Sequence, residues 1–204
     1  MEDDMHVIKR DGKKEAISFD KILKRVKKLG EEVGINLNYT SLVMRIIEQL
    51  YDSIETKKID ELTAQHCASQ ITTHPDYGIL ASRVVVSNNH KNTLTSFSKT
   101  MELLHNYFDK KKNIIKPLVS EVFYKNVLKN AAKYDKMIDY TRDFDIDYFG
   151  FKALERAYLM SIDKMVVERP QHMWMRVAVC LHGDNLEAVK ETYDLMSQKY
   201  FTHA

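Results

Sequence analysis

Breakers and sulfur are scarce in this chain. Its 204 residues include only 6 Gly and 3 Pro, which leaves long stretches free of the residues that interrupt regular backbone, so helix should dominate. There are 2 Cys, Cys67 and Cys180, far apart and in no C-x-x-C spacing. That excludes a sequence-local zinc ribbon and a disulfide framework, and it suits a reducing compartment. No apolar run reaches membrane-spanning length. The acidic start, Met1-Glu2-Asp3-Asp4, lacks the apolar core of a signal peptide. A cytoplasmic protein without a membrane partner is expected. The formal net charge of +2 is too small for a duplex nucleic-acid partner, which needs a concentrated basic face; it leaves room for one local phosphate site. What is plentiful is ordinary for a soluble globular protein, 44% hydrophobic and 29% charged residues.

The stretch from Val7 to Lys21 carries the most information. Asp11-Gly12 reads as a two-residue type I′ hairpin turn, which needs φ > 0 at both central positions. Val7-Ile8 and Ala16-Ile17-Ser18-Phe19 are short strand candidates on either side. Lys9, Arg10, Lys13 and Lys14 then sit on the tip and edges of a basic hairpin. Asp20 opens an apolar-periodic run and reads as a helix N-cap. Cationic side chains and a helix start both favour an anion. A solvated hairpin explains the same residues on spacing alone.

Downstream, Ile22, Val26, Leu29 and Val33 make the stripe of a first helix ending near Gly34. Thr40 is a candidate N-cap for a second helix with Leu42, Val43, Ile46, Ile47 and Leu50. Thr56 caps a third, with Ile59, Leu62, Thr63 and Cys67 inward and Asp60 in its exposed first turn. Pro75 suits the first position of a fourth, which runs through Ile79, Leu80, Val84, Val85 and Asn88 to about Lys91. Four helices with short connections suggest an antiparallel bundle, with the hairpin over one end. Beyond a join around Asn92–Ser98, helical patterns resume at Thr95, Val119, Lys152, Pro170 and Leu186. On the Pro170 helix, Met173, Val177 and Cys180 share one side. The aromatic, acidic run from Tyr140 to Phe151 reads as core between helices, with a binding surface as the alternative.

No catalytic constellation emerges. His66 and Cys67 are adjacent on one helix and point to different sides. His172 and His182 have no carboxylate in phase. Both cysteines read as small core residues. Metal ligands and catalytic residues are therefore expected to be none.

Lys9-Arg10-Asp11-Gly12 with Phe19-Asp20-Lys21-Ile22 resembles the ATP-cone, a regulatory nucleotide-binding module, and His74-Pro75-Asp76-Tyr77 with Ser87-Asn88-Asn89-His90-Lys91 fits its fourth helix. Arg142-Asp143-Phe144, Tyr148-Phe149-Gly150-Phe151-Lys152, Leu154-Glu155-Arg156 and Glu168-Arg169-Pro170-Gln171-His172-Met173 resemble the large subunit of class I ribonucleoside-diphosphate reductase of the eukaryotic and viral type. Tyr200-Phe201-Thr202-His203-Ala204 is similar to the segment just before that family's catalytic barrel.

The resemblance implies a mainly α fold: an acidic tail (1–4), a four-helix ATP-cone capped by a small β-hairpin or sheet (5–95), and a helical domain (96–204) that precedes a ten-stranded α/β barrel absent from this sequence. It implies an allosteric part of an enzyme that makes deoxyribonucleotides, with the reductase cysteines elsewhere, so this stretch alone is expected to be inactive. The implied effector is ATP or dATP, carried with Mg. The implied nucleotide site is Lys9, Arg10, Glu15, Ala16, Ile17, Ser18, Phe19, Asp20, Lys21, Thr56, Asp60 and Lys91. In it Lys9, Lys21 and Lys91 meet phosphates, Ile17 and Phe19 support the base, and Asp60 matches a position that sets the response to dATP. Implied partners are the barrel, in cis or as a separate chain, further large-subunit copies and a radical-generating small subunit. A free-standing nucleotide sensor and a purely structural helical module are the competing readings.

Overall fold

The computed structural model describes residues 5–201. It divides into two compact units: one comprises the chain up to Asn92 together with Ile146–Lys152, and the other comprises Thr93–Asp145 and the chain from Ala153 onward.

The first unit opens with strands β1 (His6–Ile8) and β2 (Lys14–Ala16), paired antiparallel from His6↔Ala16 to Ile8↔Lys14. The connection differs from the expected two-residue turn. Lys9 N donates to Lys13 O at 2.8 Å and Gly12 N to Lys9 O at 2.9 Å, and Gly12 alone in the turn has positive φ, +81°. Arg10–Gly12 is thus a three-residue loop, a type I turn closed by a left-handed Gly, because Asp11 keeps the right-handed conformation that L residues prefer. Helix α1 (Phe19–Glu31) follows, and Ser18 rather than Asp20 caps it, its side chain accepting from Lys21 N. In α2 (Tyr39–Ile47) the cap is Asn38 rather than Thr40. In α3 (Thr56–Ser69) it is Glu55, which places Thr56 at the first helical position. Helix α4 (Asp76–Asn92) starts directly after Pro75.

The stretch between α2 and α3 holds a strand the sequence pattern hid. β3 (Ile54–Glu55) pairs parallel with β1, Val7↔Ile54 and Ile8↔Glu55, giving sheet order β2-β1-β3. Two residues are too few to show a period of two, but the fully buried Ile54 anchors them. The pairing holds the hairpin beside the first turn of α3. Val26, Leu29, Leu42, Val43, Ile46, Ile59, Cys67, Leu80, Val84 and Val85 form the core, whereas Val33 and Ile79 are exposed although their spacing matched the stripe. Gly30 belongs to the core because Tyr39 lies across it: a Cβ there would sit 2.2 Å from the Tyr39 hydroxyl, which donates to Ile35 O at 2.5 Å. Gly30→Ala is expected to cost about 1–3 kcal/mol of stability by overpacking, read as a lower urea midpoint for this unit.

The second unit contains α5 (Phe97–His105), the β4 (Phe108–Asp109) and β5 (Ile114–Ile115) hairpin, α6 (Glu121–Met137), a 3-10 turn (Tyr140–Asp145), the second half of α7 (Tyr148–Ala157), the β6 (Ser161–Ile162) and β7 (Met165–Val166) hairpin, α8 (Pro170–His182) and α9 (Leu186–Ser197). Phe97, Met101, Phe123, Val127, Tyr134, Met175, Val179, Val189, Tyr193 and Met196 fill its core. The expected stripe on α8 holds at Met173, which is buried, but not at Cys180, which is exposed. Gln171, His172, Met175, Ala178 and Val179 are buried as well, so polar residues that apolar periodicity does not count help to set the buried side. The aromatic run divides: Tyr148 and Phe151 are buried, Phe149 is exposed. Around the start of α8, Asp143 accepts from Gln171 N and Nε2 at 3.2 and 3.1 Å, and the fully buried Glu168 accepts from Arg176 Nε and Nη2 at 2.7 and 3.0 Å and from Met160 N at 2.8 Å. No helix among the described residues is long and apolar enough to cross a membrane.

Candidate functional site

A cleft of about 200 Å³ opens in the first unit where the hairpin, α1, the start of α3 and the end of α4 converge. Each element contributes by a simple geometric rule. On α1 the residues facing the cleft are Lys21, Ile22, Arg25 and Val26, with Ser18 at the cap; these are the i, i+3, i+4, i+7, i+8 positions of one helical face. On α3 they are Thr56, Ile59, Asp60 and Thr63, again one face. The hairpin supplies Val7, Lys9, Arg10, Glu15 and Ala16, and α4 supplies Lys91.

The cleft therefore gathers nine of the twelve residues expected from sequence: Lys9, Arg10, Glu15, Ala16, Ser18, Lys21, Thr56, Asp60 and Lys91. Ile17, Phe19 and Asp20 do not line it. Phe19 and Asp20 occupy the first two helical positions, turned away from the 18–21–22–25 face, and Ile17 N is tied to Met5 O at 2.9 Å. The apolar floor is made instead by Val7, Ile22, Val26 and Ile59. Sequence reasoning missed these and Arg25, although Arg25 stands four residues after Lys21 and the helical period alone would have placed it beside that lysine.

Two carboxylates organise the cations. Glu15 accepts from Lys9 Nζ at 3.0 Å and from Lys21 Nζ. These contacts hold the Glu15 carboxyl below its ordinary range, the Lys21 hydrogen bond first and the Lys9 one next. Asp60 is buried, not exposed as its place in the first turn suggested. Arg25 reaches it with Nε and Nη2 at 2.6 and 2.9 Å, and Arg10 Nη2 at 3.1 Å. Arg10 also donates to Asn88 Oδ1 and Asn92 Oδ1, both at 2.7 Å, and Asn88 Nδ2 donates to Lys57 O at 3.2 Å. The Asp60 carboxylate thus ties the hairpin and α1 to α3, and Arg10 carries the link on to α4. Lys91 stands apart. Among the described residues no hydrogen bond or ion pair reaches its ammonium, and its pKa is lowered, by desolvation first and by the Arg25 guanidinium second. A group in that state gains most from an incoming anion.

Neither cysteine lines this cleft. Cys67 is buried and its thiol is pushed up to about 12 by burial, which leaves it inert. Among the described residues no group of three or more His, Cys, Asp or Glu is placed to hold a metal ion.

Comparison with known proteins divides the chain similarly. The family model described as ATP cone domain matches residues 5–92, and that described as ribonucleotide reductase, all-alpha domain, matches 144–204. The chain is 44% identical to a ribonucleoside-diphosphate reductase large subunit of Arabidopsis thaliana, with 98% of this chain aligned to 25% of the relative. It is 46% identical to a ribonucleoside-diphosphate reductase large chain of Schizosaccharomyces pombe and to a large subunit of Danio rerio, again over 98% of this chain and 25% of each relative. It spans about a quarter of the length of the curated relatives it matches.

Proposed function

This chain belongs to the ribonucleoside-diphosphate reductase large-subunit family, carrying its ATP cone and all-alpha domains, and from that premise we propose that the cleft is an allosteric adenine-nucleotide site. ATP or dATP is the effector. Its phosphates lie among Lys9, Lys21 and Lys91, its base rests on the floor of Val7, Ile22, Val26 and Ile59, and Thr56 offers a hydroxyl to the ligand. A divalent ion such as Mg enters with the phosphates, which are its ligands. The reductase chemistry belongs to the remaining three-quarters of the relatives' length. There the ribonucleoside diphosphate is reduced with help from a radical-generating small subunit. Nucleotide in the cone changes how large subunits associate, and it does so only through different affinities for the two assemblies. The observation that carries this reading is Lys91, an unneutralised and partly desolvated ammonium aimed into a cleft already rich in cations.

Isothermal titration with ATP and with dATP tests it. Saturable binding of at least one is expected; heat from neither would overturn the assignment. The pH dependence has a definite sign. Lys91 has a lowered pKa in the free protein, and a bound polyphosphate raises it. Affinity is then full while Lys91 is protonated in both states and declines as pH rises past the free-state value. Binding at alkaline pH should take up protons, measured as a buffer-dependent heat of binding.

A further inference from the structure

Most of helix α4 from Leu80 to Asn89 is buried. Leu80, Ala81, Ser82, Val84, Val85 and Val86 are each at most 5% exposed, and at 100° per residue they cannot share one face. Its surroundings grip it at two levels, the middle around Ser82 and Arg83 and the last turns. Arg83 Nε donates to Leu29 O and Arg83 Nη2 to Glu32, each at 2.6 Å. Ser82 Oγ donates to Ile146 O at 2.6 Å. The last turns carry Asn88 and Asn92, which accept from Arg10, and Lys91 in the cleft. Part of the middle grip comes from far along the chain. Ile146–Lys152 belongs to the first unit, and Ile146, Tyr148 and Phe151 in it are buried, although the match to the ATP cone ends at residue 92.

We propose that Ile146–Lys152 is a working part of the nucleotide-responsive domain: its docking on the middle of α4 and the filling of the cleft at the end of α4 favour each other. The idea rests on the nucleotide reading above. The physical reason is that a helix packed this closely along its middle cannot shift at one end without disturbing that packing. Ser82 lies about 9 Å along the axis from Asn88 at 1.5 Å per residue. Linkage then makes the effect reciprocal.

Hydrogen exchange on the whole chain, with and without ATP, reads the coupling directly. ATP should slow the amides of Ile146–Lys152 by at least threefold, together with those of the hairpin. Ser82→Ala should weaken ATP binding about fivefold, in the usual range of coupling between sites, while Ser82→Thr, which keeps the hydroxyl, restores it. A protected hairpin with an unchanged Ile146–Lys152 segment would overturn the coupling and leave the nucleotide site standing. No protection in either place would remove both, and because that experiment uses the unaltered chain, misfolding of a variant does not obscure it.

Discussion

Lys91→Ala should weaken ATP binding by tenfold or more, and Lys9→Ala by less. The two lysines start from different states. Lys91 has no carboxylate to leave, so a phosphate contact is nearly pure gain. Lys9 is paired with Glu15 at 3.0 Å and must exchange one anion for another. A hydrogen bond to a charged group contributes about 1.5–3 kcal/mol, so the double variant should lose about a hundredfold or more in affinity. Inorganic tripolyphosphate should show the same order of effects and adenosine almost none. Titration of the three variants with ATP and with tripolyphosphate checks this. Equal affinities in wild type and double variant would mean that the phosphates lie elsewhere.

The second large effect concerns stability. Glu168→Ala removes a fully buried carboxylate and leaves the Arg176 guanidinium and the Met160 N–H without it. Breaking such a pair from one side costs about 3–5 kcal/mol. For a unit of about a hundred residues that corresponds to a melting temperature lower by roughly 15 °C or more. Replacing both partners, Glu168→Leu with Arg176→Met, should recover most of the loss, because the penalty lies in the stranded charge. Thermal unfolding followed by circular dichroism distinguishes the outcomes: a double variant no better than Glu168→Ala would show that packing, not charge, is at stake.

Much of this was legible from residue order, for identifiable reasons. Helices were found where three-and-four spacing was strong, as at Leu42–Ile46 and Val189–Met196. Their starts were misplaced at Asp20, Thr40 and Thr56 because several capping residues stand close together and only backbone conformation selects among them. The β3 strand was invisible because a two-residue element has no pattern of its own. Asp60 looked exposed because a carboxylate in the first turn of a helix usually is; its burial depends on Arg10 and Arg25, which are distant in sequence. The α8 stripe held at Met173 and failed at Cys180, because the buried side also carries Gln171 and His172. Nine residues of the cleft were named in advance on a resemblance, while its apolar floor follows only from the way α1 and α3 turn their faces together.

The balance of charge around the cleft has a kinetic consequence. Lys9, Arg10, Lys21, Arg25 and Lys91 face only Glu15 and Asp60, five positive groups against two negative ones, a surplus of three. Such a concavity attracts polyanions from solution before contact is made, and dissolved ions weaken that attraction over a distance of about 8–10 Å at ordinary salt. Capture of a triphosphate should therefore slow markedly as ionic strength rises, while its escape, governed by contacts within the cleft, changes little.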